Sequence, residues 1–383
     1  MVGPLSGVRI LDLSHVWFGP YCTMLLGEMG AEVIKVEPIW GDRTRMFAPL
    51  HNRESPTFHS LNLCKKGMTL NLKSEKGVAI FKELVKISDV VVENFSPGTM
   101  AKLGLSYDAL KSVKPDIIYA SLSGFGQTGP YSPRPSYFSI AEAISGQAHL
   151  ACRGGGPDAP PRGSPVAYGD LGPALFAAMS ITAALYFRQR TGLGQWVDVS
   201  QADTMLSLTS PPIANYTVTG MTEEEREKKF PRMRGPGIGG FLKASDGYVA
   251  VLAGGGASID NIAKMLNVKE VTRELFQEWV SARTVAEIVE TMSRLDVPAA
   301  PVLRPEQVVT NEQYMAREMF VDVEYPTLGK FKMPNFPVKF SESPGEVYSP
   351  APGLGQHNKE ILMSMVGHSE EQVEQLKKEG VVS

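Results

Sequence analysis

The chain is 383 residues long, more than one ordinary domain needs, so its length indicates two or more domains. Apolar residues make up 43% of it and charged residues 21%, as in an ordinary soluble globular enzyme. The formal net charge of -3 gives no support for a nucleic acid or an anionic membrane surface as a partner.

The cysteines and histidines argue against a disulfide framework and against a metal site. Cys22, Cys64 and Cys152 are odd in number, far apart and without C-x-x-C spacing, and the six histidines form no His-x-x-x-His pair. We therefore expect no bound metal and a reducing, cytoplasmic location. No stretch reaches the roughly 20 apolar residues of a spanning helix, and no basic region followed by an apolar core opens the chain. We expect neither a membrane segment nor a secretory signal.

Strands and helices alternate through the first third of the chain. Apolar runs predict strands at residues 8–13, 31–37, 68–72, 89–93 and 116–122. Helical periodicity predicts helices at residues 21–29, 75–87, 99–103 and 107–113. This alternation is typical of an α/β fold with a mostly parallel, Rossmann-like sheet and helices on both faces. Ligands of such sheets bind beyond the carboxyl ends of the strands, so we expect the chemistry in the loops at 15–20, 38–45, 94–98 and 123–135.

The first strand–helix–strand unit ends in Glu37, where nicotinamide-binding proteins commonly carry an acid that binds the ribose. The turn at residues 14–20, however, has no G-x-G-x-x-G sequence. The bulky Trp17 and Phe18, together with Pro20, would obstruct a pyrophosphate there. The sequence therefore argues against a dinucleotide site.

Beyond residue 190 the pattern changes. A short strand is followed by a helix that ends at Leu208. Residues 209–240 are predicted to be irregular and include a charged run at 223–229. The next stretch predicts a smaller α/β domain. It has a strand at 247–252, a triple glycine at 254–256 and helices at 259–266, 273–282 and 284–295. Residues 330–383 are proline-rich and become helical from Asn358.

Asp170 lies at the start of an apolar, alanine-rich helix that runs to Tyr186. One interpretation is a helix N-cap, because an aspartate there accepts a backbone N–H of the first turn. The other is a nucleophile, because the helix dipole favours an ionised carboxylate and a carboxylate with small neighbours can attack an activated acyl group. Taken alone, this segment favours the cap, since capping carboxylates far outnumber catalytic ones.

Several motifs, found in the same order along the chain, resemble those of the family III CoA-transferases, the group typified by formyl-CoA transferase. They are LSGVRILDLSHV (5–16), GP (19–20), LGEMGAEVIKVEP (26–38), GDRTR (41–45), VENFSPG (92–98), SGFGQTGP (123–130) and TGLGQ (191–195). Because the match is collinear and involves many motifs, it is specific.

The resemblance implies a domain organisation and an assembly. A large Rossmann-like domain would span residues 1–200 and be completed by the C-terminal segment 330–383. The small α/β domain would span 241–300, with linkers at 201–240 and 301–329. In this family each chain forms an open ring and two rings interlock, which implies an obligate, interlocked homodimer.

The resemblance also decides between the two interpretations of Asp170. The family's nucleophile is an aspartate that precedes the apolar helix, and Asp170 stands at that position. The implied activity moves CoA from an acyl-CoA donor to a carboxylic acid through an aspartyl anhydride and an aspartyl-CoA thioester. CoA thioesters and small carboxylic acids are then substrates, and no prosthetic group is expected. Gly255 and Gly256 resemble the family's mobile catalytic glycine loop, with a tight turn as the alternative.

CoA contacts follow from the same resemblance. Asn94 and Phe95 resemble residues on the adenosine and pantetheine sides, and Val16 resembles another such contact. The expected CoA-binding residues are Val16, Arg43, Arg45, Asn94, Phe95, Lys102 and Tyr137; the basic ones would meet phosphates or else be solvated. His15 reads as a packed loop residue rather than a proton shuttle. Trp17 stands where formyl-CoA transferase has a glutamine, so we expect a larger or more apolar acyl group than formyl.

Two other functions stay open. The α-methylacyl-CoA racemases share these motifs but transfer protons, which needs two opposed bases. The racemases use a His-Asp pair in the segment before an S-G step. Counting back from Ser145, this chain has Tyr137 and Phe138 there; Phe cannot accept a proton and Tyr is a poor base near neutral pH. The other alternative is a non-catalytic CoA-binding protein, against which an intact Asp170 argues.

Overall fold

The computed structural model describes residues 3–151, 160–230 and 237–383. Contacts between residues divide the chain into two units, Met1–Ser210 with Arg317–Ser383, and Pro211–Ala316. Cys152 and residues 231–236 of the stretch predicted to be irregular lie outside the described residues.

The first unit is built on a six-stranded parallel sheet, which confirms the α/β class. Its strands are β1 (Arg9–Asp12), β2 (Glu32–Glu37), β3 (Lys65–Thr69), β4 (Val90–Glu93), β5 (Ile118–Ser123) and β6 (Trp196–Ser200). Their order is β3-β2-β1-β4-β5-β6, so the strand order reverses between β1 and β4. At such a reversal the loops beyond the carboxyl ends diverge and leave a crevice for a ligand.

Helices cover both faces of this sheet and bury two apolar cores. They are α1 (Phe18–Glu28), α2 (Pro56–Leu61), α3 (Glu75–Lys86), α4 (Thr99–Lys102), α5 (Tyr107–Val113), α6 (Phe138–Ile144), α7 (Gln147–Leu150), α8 (Tyr168–Thr191), α9 (Gln201–Leu208), α17 (Asn358–Ser364) and α18 (Glu370–Lys378). A short 3₁₀ helix, Arg43–Met46, follows β2. Two further strands, β10 (Phe320–Tyr325) and β11 (Gly329–Pro334), form a separate antiparallel hairpin.

The second unit has a three-stranded antiparallel sheet in the order β7-β8-β9 and its own apolar core. The strands are β7 (Gly240–Lys243), β8 (Tyr248–Val251) and β9 (Ala299–Pro301). The helices are α10 (Ser210–Thr219), α11 (Glu223–Lys229), α12 (Ala257–Leu266), α13 (Arg273–Ser281), α14 (Val285–Arg294), α15 (Pro305–Val308) and α16 (Glu312–Ala316).

The expectation of irregular structure across residues 209–240 is wrong, because this stretch contains α10 and α11. The charged run forms α11 through a capping box, in which Thr222 and Glu225 satisfy each other's backbone N–H groups. Glu224 also pairs with Lys228 at 2.8 Å, and acids begin the helix while bases end it, as the helix dipole favours.

One face of α8 is buried in the core of the first unit, and another face is exposed. Ala174, Ala177 and Ile181 are buried in the core formed with α1 and the sheet. With 24 residues and 44% of its apolar window buried, α8 is the one helix of the described residues long and apolar enough to cross a membrane. That criterion rests on length and composition alone, and the core helix of a water-soluble protein meets it equally well.

Two buried ion pairs lie beneath the carboxyl ends of the central strands. The Lys65 ammonium lies 2.9 Å from Asp12, the Lys35 ammonium lies 2.9 Å from Asp42, and all four side chains are inaccessible to solvent. Burial alone would raise the pKa of Asp12, but the charges of Lys65 and Lys35 and a hydrogen bond from Ser14 lower it to about 2. Both carboxylates are therefore ionised at neutral pH.

Removing one partner of such a pair should destabilise the fold strongly. In Lys65→Met, Asp12 stays buried without its nearest cation, so we expect the free energy of unfolding to fall by about 3–5 kcal/mol, measured by urea denaturation. Lys66→Met is the matched control, because Lys66 is one-third exposed and pairs with Glu32 and Glu360 near the surface. It should cost less than about 1 kcal/mol. Equal losses in the two variants would contradict this account of the buried pair.

Candidate active site

A cavity of about 720 Å³ opens at the carboxyl ends of the parallel strands of the first unit. It is lined by the loops that follow β1 to β5 and by the first turns of α8 and α9. Polar and aromatic lining residues include His15, Trp17, Arg43, Lys73, Asn94, Phe95, Tyr137, Asp170 and Gln201. The cavity thus lies where the strand order predicts a ligand.

The loop after β1 holds a strained residue at the cavity. Val16 has a φ of +70°, a left-handed conformation that is costly for a β-branched side chain. Its N–H donates to Asp42 Oδ1 at 3.3 Å. The adjacent His15 is fixed twice by Asn94, which accepts the His15 N–H and donates to the His15 carbonyl, each at 2.8 Å. The loops after β1, β2 and β4 therefore hold one another in place.

The His15 ring is packed against aromatic side chains rather than poised in solvent. It stacks on Trp40 with the ring centroids 6.1 Å apart, and the Phe95 ring lies 5.8 Å away. Burial, together with the nearby charge of Lys35, lowers the pKa of His15, so its imidazole is neutral at pH 7. This arrangement suits a packed loop residue at the wall of the cavity.

Asp170 does not cap its helix, so that interpretation is wrong. α8 begins at Tyr168, and Asp170 is the third residue of the first turn. The capping groups come from outside the helix: Ser164 Oγ accepts the Tyr168 N–H at 3.1 Å, and Glu142 accepts the Gly169 N–H at 3.0 Å. Because Glu142 lies 27 residues upstream on α6, no local pattern around Asp170 reveals it. The Asp170 carboxylate is therefore not used for capping.

A glycine before Asp170 lets the start of α8 approach α6 closely. A Cβ on Gly169 would lie 2.2 Å from the carbonyl oxygen of Phe138, far inside van der Waals contact. Only glycine therefore fits there without moving the backbone of α6. The same close approach brings Glu142 within reach of the Gly169 N–H.

The Asp170 carboxylate is buried at the cavity, with an exposed fraction of 6%. Gln201 Nε2 donates a hydrogen bond to Asp170 Oδ1. Burial raises the pKa of Asp170 to about 7; the Gln201 hydrogen bond opposes this rise and the charge of Glu142 adds to it. Burial thus opposes the ionisation expected at the helix end, and this carboxyl group can gain and lose a proton near neutral pH.

The other predicted site residues divide into two groups. Val16, Arg43, Asn94, Phe95 and Tyr137 line the same cavity as Asp170. Arg45 and Lys102 lie elsewhere. Arg45 makes two hydrogen bonds to the buried Glu37, at 2.8 and 2.7 Å, which hold its guanidinium below the loop. Lys102 lies in a smaller adjoining depression with Lys73 and Lys82.

Gly255 and Gly256 belong to the second unit, whereas the cavity belongs to the first. Gly256 precedes α12 with a φ of +56° and a ψ of -135°, a conformation that is essentially restricted to glycine. A Cβ on either glycine would meet no atom within 4 Å. Backbone conformation, rather than lack of space, therefore requires glycine at position 256.

Gln201 and Glu142 are the two neighbours of Asp170 that sequence reasoning missed. Gln201 lies 31 residues after Asp170, and Glu142 lies 27 residues before Gly169, so no spacing rule connects either of them with Asp170. One signal was present for Gln201, because it follows directly on β6 at the carboxyl edge of the sheet, where functional side chains gather. Within the described residues, no group of three or more His, Cys, Asp or Glu side chains could hold a metal ion.

Comparison with known proteins agrees with this fold. The chain is 36% identical to succinyl-CoA:glutarate CoA-transferase of Mus musculus, over 99% of this chain and 90% of the mouse protein. It is 33% identical to formyl-CoA:oxalate CoA-transferase of Streptomyces coelicolor, over 99% of each chain. The crystal structure of a CAIB/BAIF family protein from Brucella suis has a TM-score of 0.84 and 28% identity, covering 95% of this chain and 100% of that one.

These similarities define the protein first as a CoA-transferase. The sequence model of "CoA-transferase family III" matches residues 5–358, so the chain belongs to that family. The resemblance inferred from the motifs is confirmed.

The raised pKa of Asp170 predicts a pH-dependent effect of removing its charge. The folded protein keeps this proton up to about pH 7, whereas the unfolded chain releases it near its ordinary pKa of 3.8. The wild type therefore loses stability as the pH rises from about 4 to about 7, by at most about 1.4 kcal/mol per pH unit. Asp170→Asn has no such loss, so its advantage in Tm over the wild type should grow from pH 5 to pH 7 and then level off.

Asp108→Asn provides the control, because Asp108 is exposed in the first turn of α5. Its Tm difference from the wild type should stay nearly constant over the same pH range. A constant difference for Asp170→Asn as well would show that the Asp170 carboxyl group does not keep its proton near neutral pH.

Proposed function

We propose that this enzyme moves CoA from an acyl-CoA to a carboxylic acid through covalent intermediates on Asp170. One observation carries the proposal: a buried carboxylate, held through one oxygen by Gln201, lines a large cavity at the switch point of the sheet. A carboxylate in such a place can meet an acyl group, whereas bulk water, which would hydrolyse an anhydride, is largely excluded.

The reaction has two steps that are then reversed. In the first, Oδ2 of ionised Asp170 attacks the thioester carbonyl carbon, the C–S bond breaks, and the CoA thiolate leaves with the electron pair. In the second, the thiolate attacks Cγ of the resulting anhydride, a C–S bond forms, and the Cγ–Oδ2 bond breaks, so the donor acid leaves as a carboxylate with that oxygen. The acceptor carboxylate then attacks Cγ, and the same two steps in reverse produce its CoA ester and restore Asp170.

The lining of the cavity suits the parts of CoA. We assign Val16, Asn94, Phe95 and Tyr137 to the pantetheine and adenosine portions, since they combine apolar surface with polar groups. Arg43 supplies a cation for a phosphate at the same cavity. Lys102 is a candidate for a second phosphate, because the depression that contains it shares Leu72, Lys73 and Leu103 with the cavity. Arg45 is already paired with Glu37, so we assign it to holding the loop after β2 rather than to binding CoA.

For the acids, we propose small dicarboxylic acids larger than oxalate. The mouse relative is named for succinyl-CoA and glutarate, and the Streptomyces relative for formyl-CoA and oxalate. Trp17 lines the cavity in this chain, where formyl-CoA transferase has a glutamine, and a larger acyl group can contact its ring. The four- and five-carbon acids fit both observations.

We also propose a homodimer. Leu175, Met179 and Tyr186 lie along one side of α8 and are 54%, 61% and 61% exposed. Apolar side chains arranged in this way are typical of a surface that a partner covers, and a second copy of the chain is the partner that the family resemblance implies. Light scattering on the purified protein tests the assignment, which a stable folded monomer would overturn.

Gly255 and Gly256 remain the proposed mobile loop of the reaction. Glycines allow backbone N–H groups to approach a reacting anhydride and allow a segment to move between conformations. Because Gly256 has a conformation that only glycine adopts readily, Gly254, for which no positive φ is found, is the better position for a test. Hydrolysis of acyl-CoA by Gly254→Val, compared with transfer, measures whether the loop protects the intermediate.

The proposed activity predicts a preference among acids of equal length. With succinyl-CoA as donor and mass spectrometry as readout, glutarate should be converted to its CoA ester at least about 10-fold more efficiently than pentanoate, judged by kcat/KM. The two acids have five carbons and differ in the second carboxylate. Equal efficiencies would reject the dicarboxylate assignment while leaving CoA transfer intact, and the absence of any CoA ester with every donor tried would reject transfer itself.

The nucleophile is tested by Asp170→Asn, which keeps the size of the side chain and an oxygen that accepts from Gln201. Because the amide cannot form the anhydride, we expect transfer to fall by more than about 10³-fold. Wild-type protein incubated with acyl-CoA and then hydroxylamine should carry a hydroxamate on the peptide that contains Asp170. Glu142→Asp, which keeps a carboxylate beside α8, should retain the hydroxamate at Asp170. A hydroxamate on another carboxylate would contradict the assignment.

A further inference from the structure

Gln201 makes a direct contact with the reacting group. Its side-chain Nε2 donates to Asp170 Oδ1, the two residues are 4% and 6% exposed, and both line the cavity. Within the described residues, Gln201 is the one hydrogen-bond donor to this carboxylate. Among the same described residues, Oδ2 accepts no hydrogen bond, which leaves it available to an incoming acyl group.

The position of Gln201 is determined by two regular elements. It is the first residue of α9 and follows directly on the last residue of β6, Ser200. Ser200 Oγ caps α9 by accepting the Asp203 N–H at 3.1 Å, and the Ala202 N–H donates to the Gly124 carbonyl beside β5 at 3.0 Å. The amide thus projects from a fixed backbone, as a preorganised catalytic donor must.

We propose that Gln201 is a catalytic residue whose side-chain amide stabilises the oxyanion formed on Asp170 itself. The inference rests on the proposed function, because it requires covalent chemistry at the Asp170 carbonyl carbon. It adds the group that makes this carbon an electrophile.

The path of the electrons identifies the atom concerned. When the CoA thiolate attacks Cγ of the anhydride, the electron pair of the Cγ=Oδ1 double bond moves onto Oδ1. When the tetrahedral intermediate collapses, that pair returns and the Cγ–Oδ2 bond breaks, releasing the donor carboxylate. Oδ1 therefore carries the negative charge, and Oδ1 is the oxygen that Gln201 already contacts. A donor aimed at this atom before the reaction needs no reorganisation during it.

In the first step of the reaction the negative charge develops on a different oxygen. There Oδ2 attacks, and negative charge develops on the carbonyl oxygen of the donor, which is not the oxygen that Gln201 holds. Gln201 acts in this step through the ionisation of Asp170, since its hydrogen bond favours the charged carboxylate. Loss of the amide should consequently slow attack at Cγ far more than attack by Oδ2 at high pH.

The test is Gln201→Met, which keeps the approximate size of the side chain and removes the donor. Each protein is mixed with succinyl-CoA at pH 9 without an acceptor acid, quenched with acid, and weighed intact. Wild type should pass from the acyl adduct to the CoA adduct, whereas the variant should accumulate the acyl adduct because its conversion is about 10²–10³-fold slower. Formation of the acyl adduct at pH 9 should change by less than about 10-fold. The apparent pKa of that first step should rise by about one unit.

Thr204→Val is the matched control. Thr204 lies on α9 one turn after Gln201, is buried, and donates to the backbone oxygens of Ser200 and Gln201. It should keep the wild-type ratio of acyl to CoA adduct. Should Gln201→Met fail to fold, Gln201→Leu replaces it, since leucine also has no N–H to donate, adds no charge beside Asp170 and should also accumulate the acyl adduct.

The outcomes separate the two proposals. If wild type forms both adducts on Asp170 and the Gln201 variants show the same ratio and pH profile, this inference is overturned and the proposed function stands. Equal losses in both steps, matched by Thr204→Val, would assign Gln201 a purely structural role and also overturn it. If wild type forms neither adduct, the covalent mechanism fails and this inference fails with it.

Discussion

The buried ion pair between Lys35 and Asp42 is the contact on which the geometry of the cavity depends. Asp42 Oδ2 accepts from the Lys35 ammonium, while Oδ1 accepts from Thr44 in the following loop and from the N–H of Val16. The same ammonium donates to the Ser14 carbonyl at 2.9 Å. Burying two charges carries a large desolvation cost, which is offset only when the hydrogen bonds are satisfied, as they are here. One ion pair thus holds both the loop after β1 and the loop after β2.

Buried carboxyl groups near the same edge of the sheet have pKa values that are shifted in opposite directions. Asp12 and Asp42 face ammonium groups, which lower the pKa of each well below the ordinary value. Asp170 faces an amide and lies near another carboxylate, so burial dominates and raises its pKa to about 7. Environment, rather than residue type, therefore decides whether a buried carboxyl group stays ionised, as in Asp12 and Asp42, or can gain and lose a proton near neutral pH, as in Asp170.

Local sequence patterns predicted the parallel sheet best where a strand is a short, apolar run buried on both faces, and less well for β3, which begins with two lysines and lies three residues before its predicted position. β4 is the clearest case: Val90, Val91 and Val92 are fully buried, and the predicted strand at 89–93 includes all of it. Helix ends were predicted less well. The carboxylate that caps α8 belongs to Glu142 on another helix, so the nearest acid, Asp170, invited a wrong interpretation. The charged run of α11 was likewise predicted to be irregular, although its capping box was present in the sequence.

By itself the sequence determined the fold class, the family and the identity of Asp170 as the candidate nucleophile, because these depend on periodicity and on motifs read along the chain. The tertiary structure decided the environment of that candidate nucleophile. It brings Gln201 and Glu142 to Asp170 from separate elements, and it removes the carboxylate from water. A pKa and an oxyanion donor depend on distances between side chains and on burial, and both arise only when segments distant in sequence fold against one another.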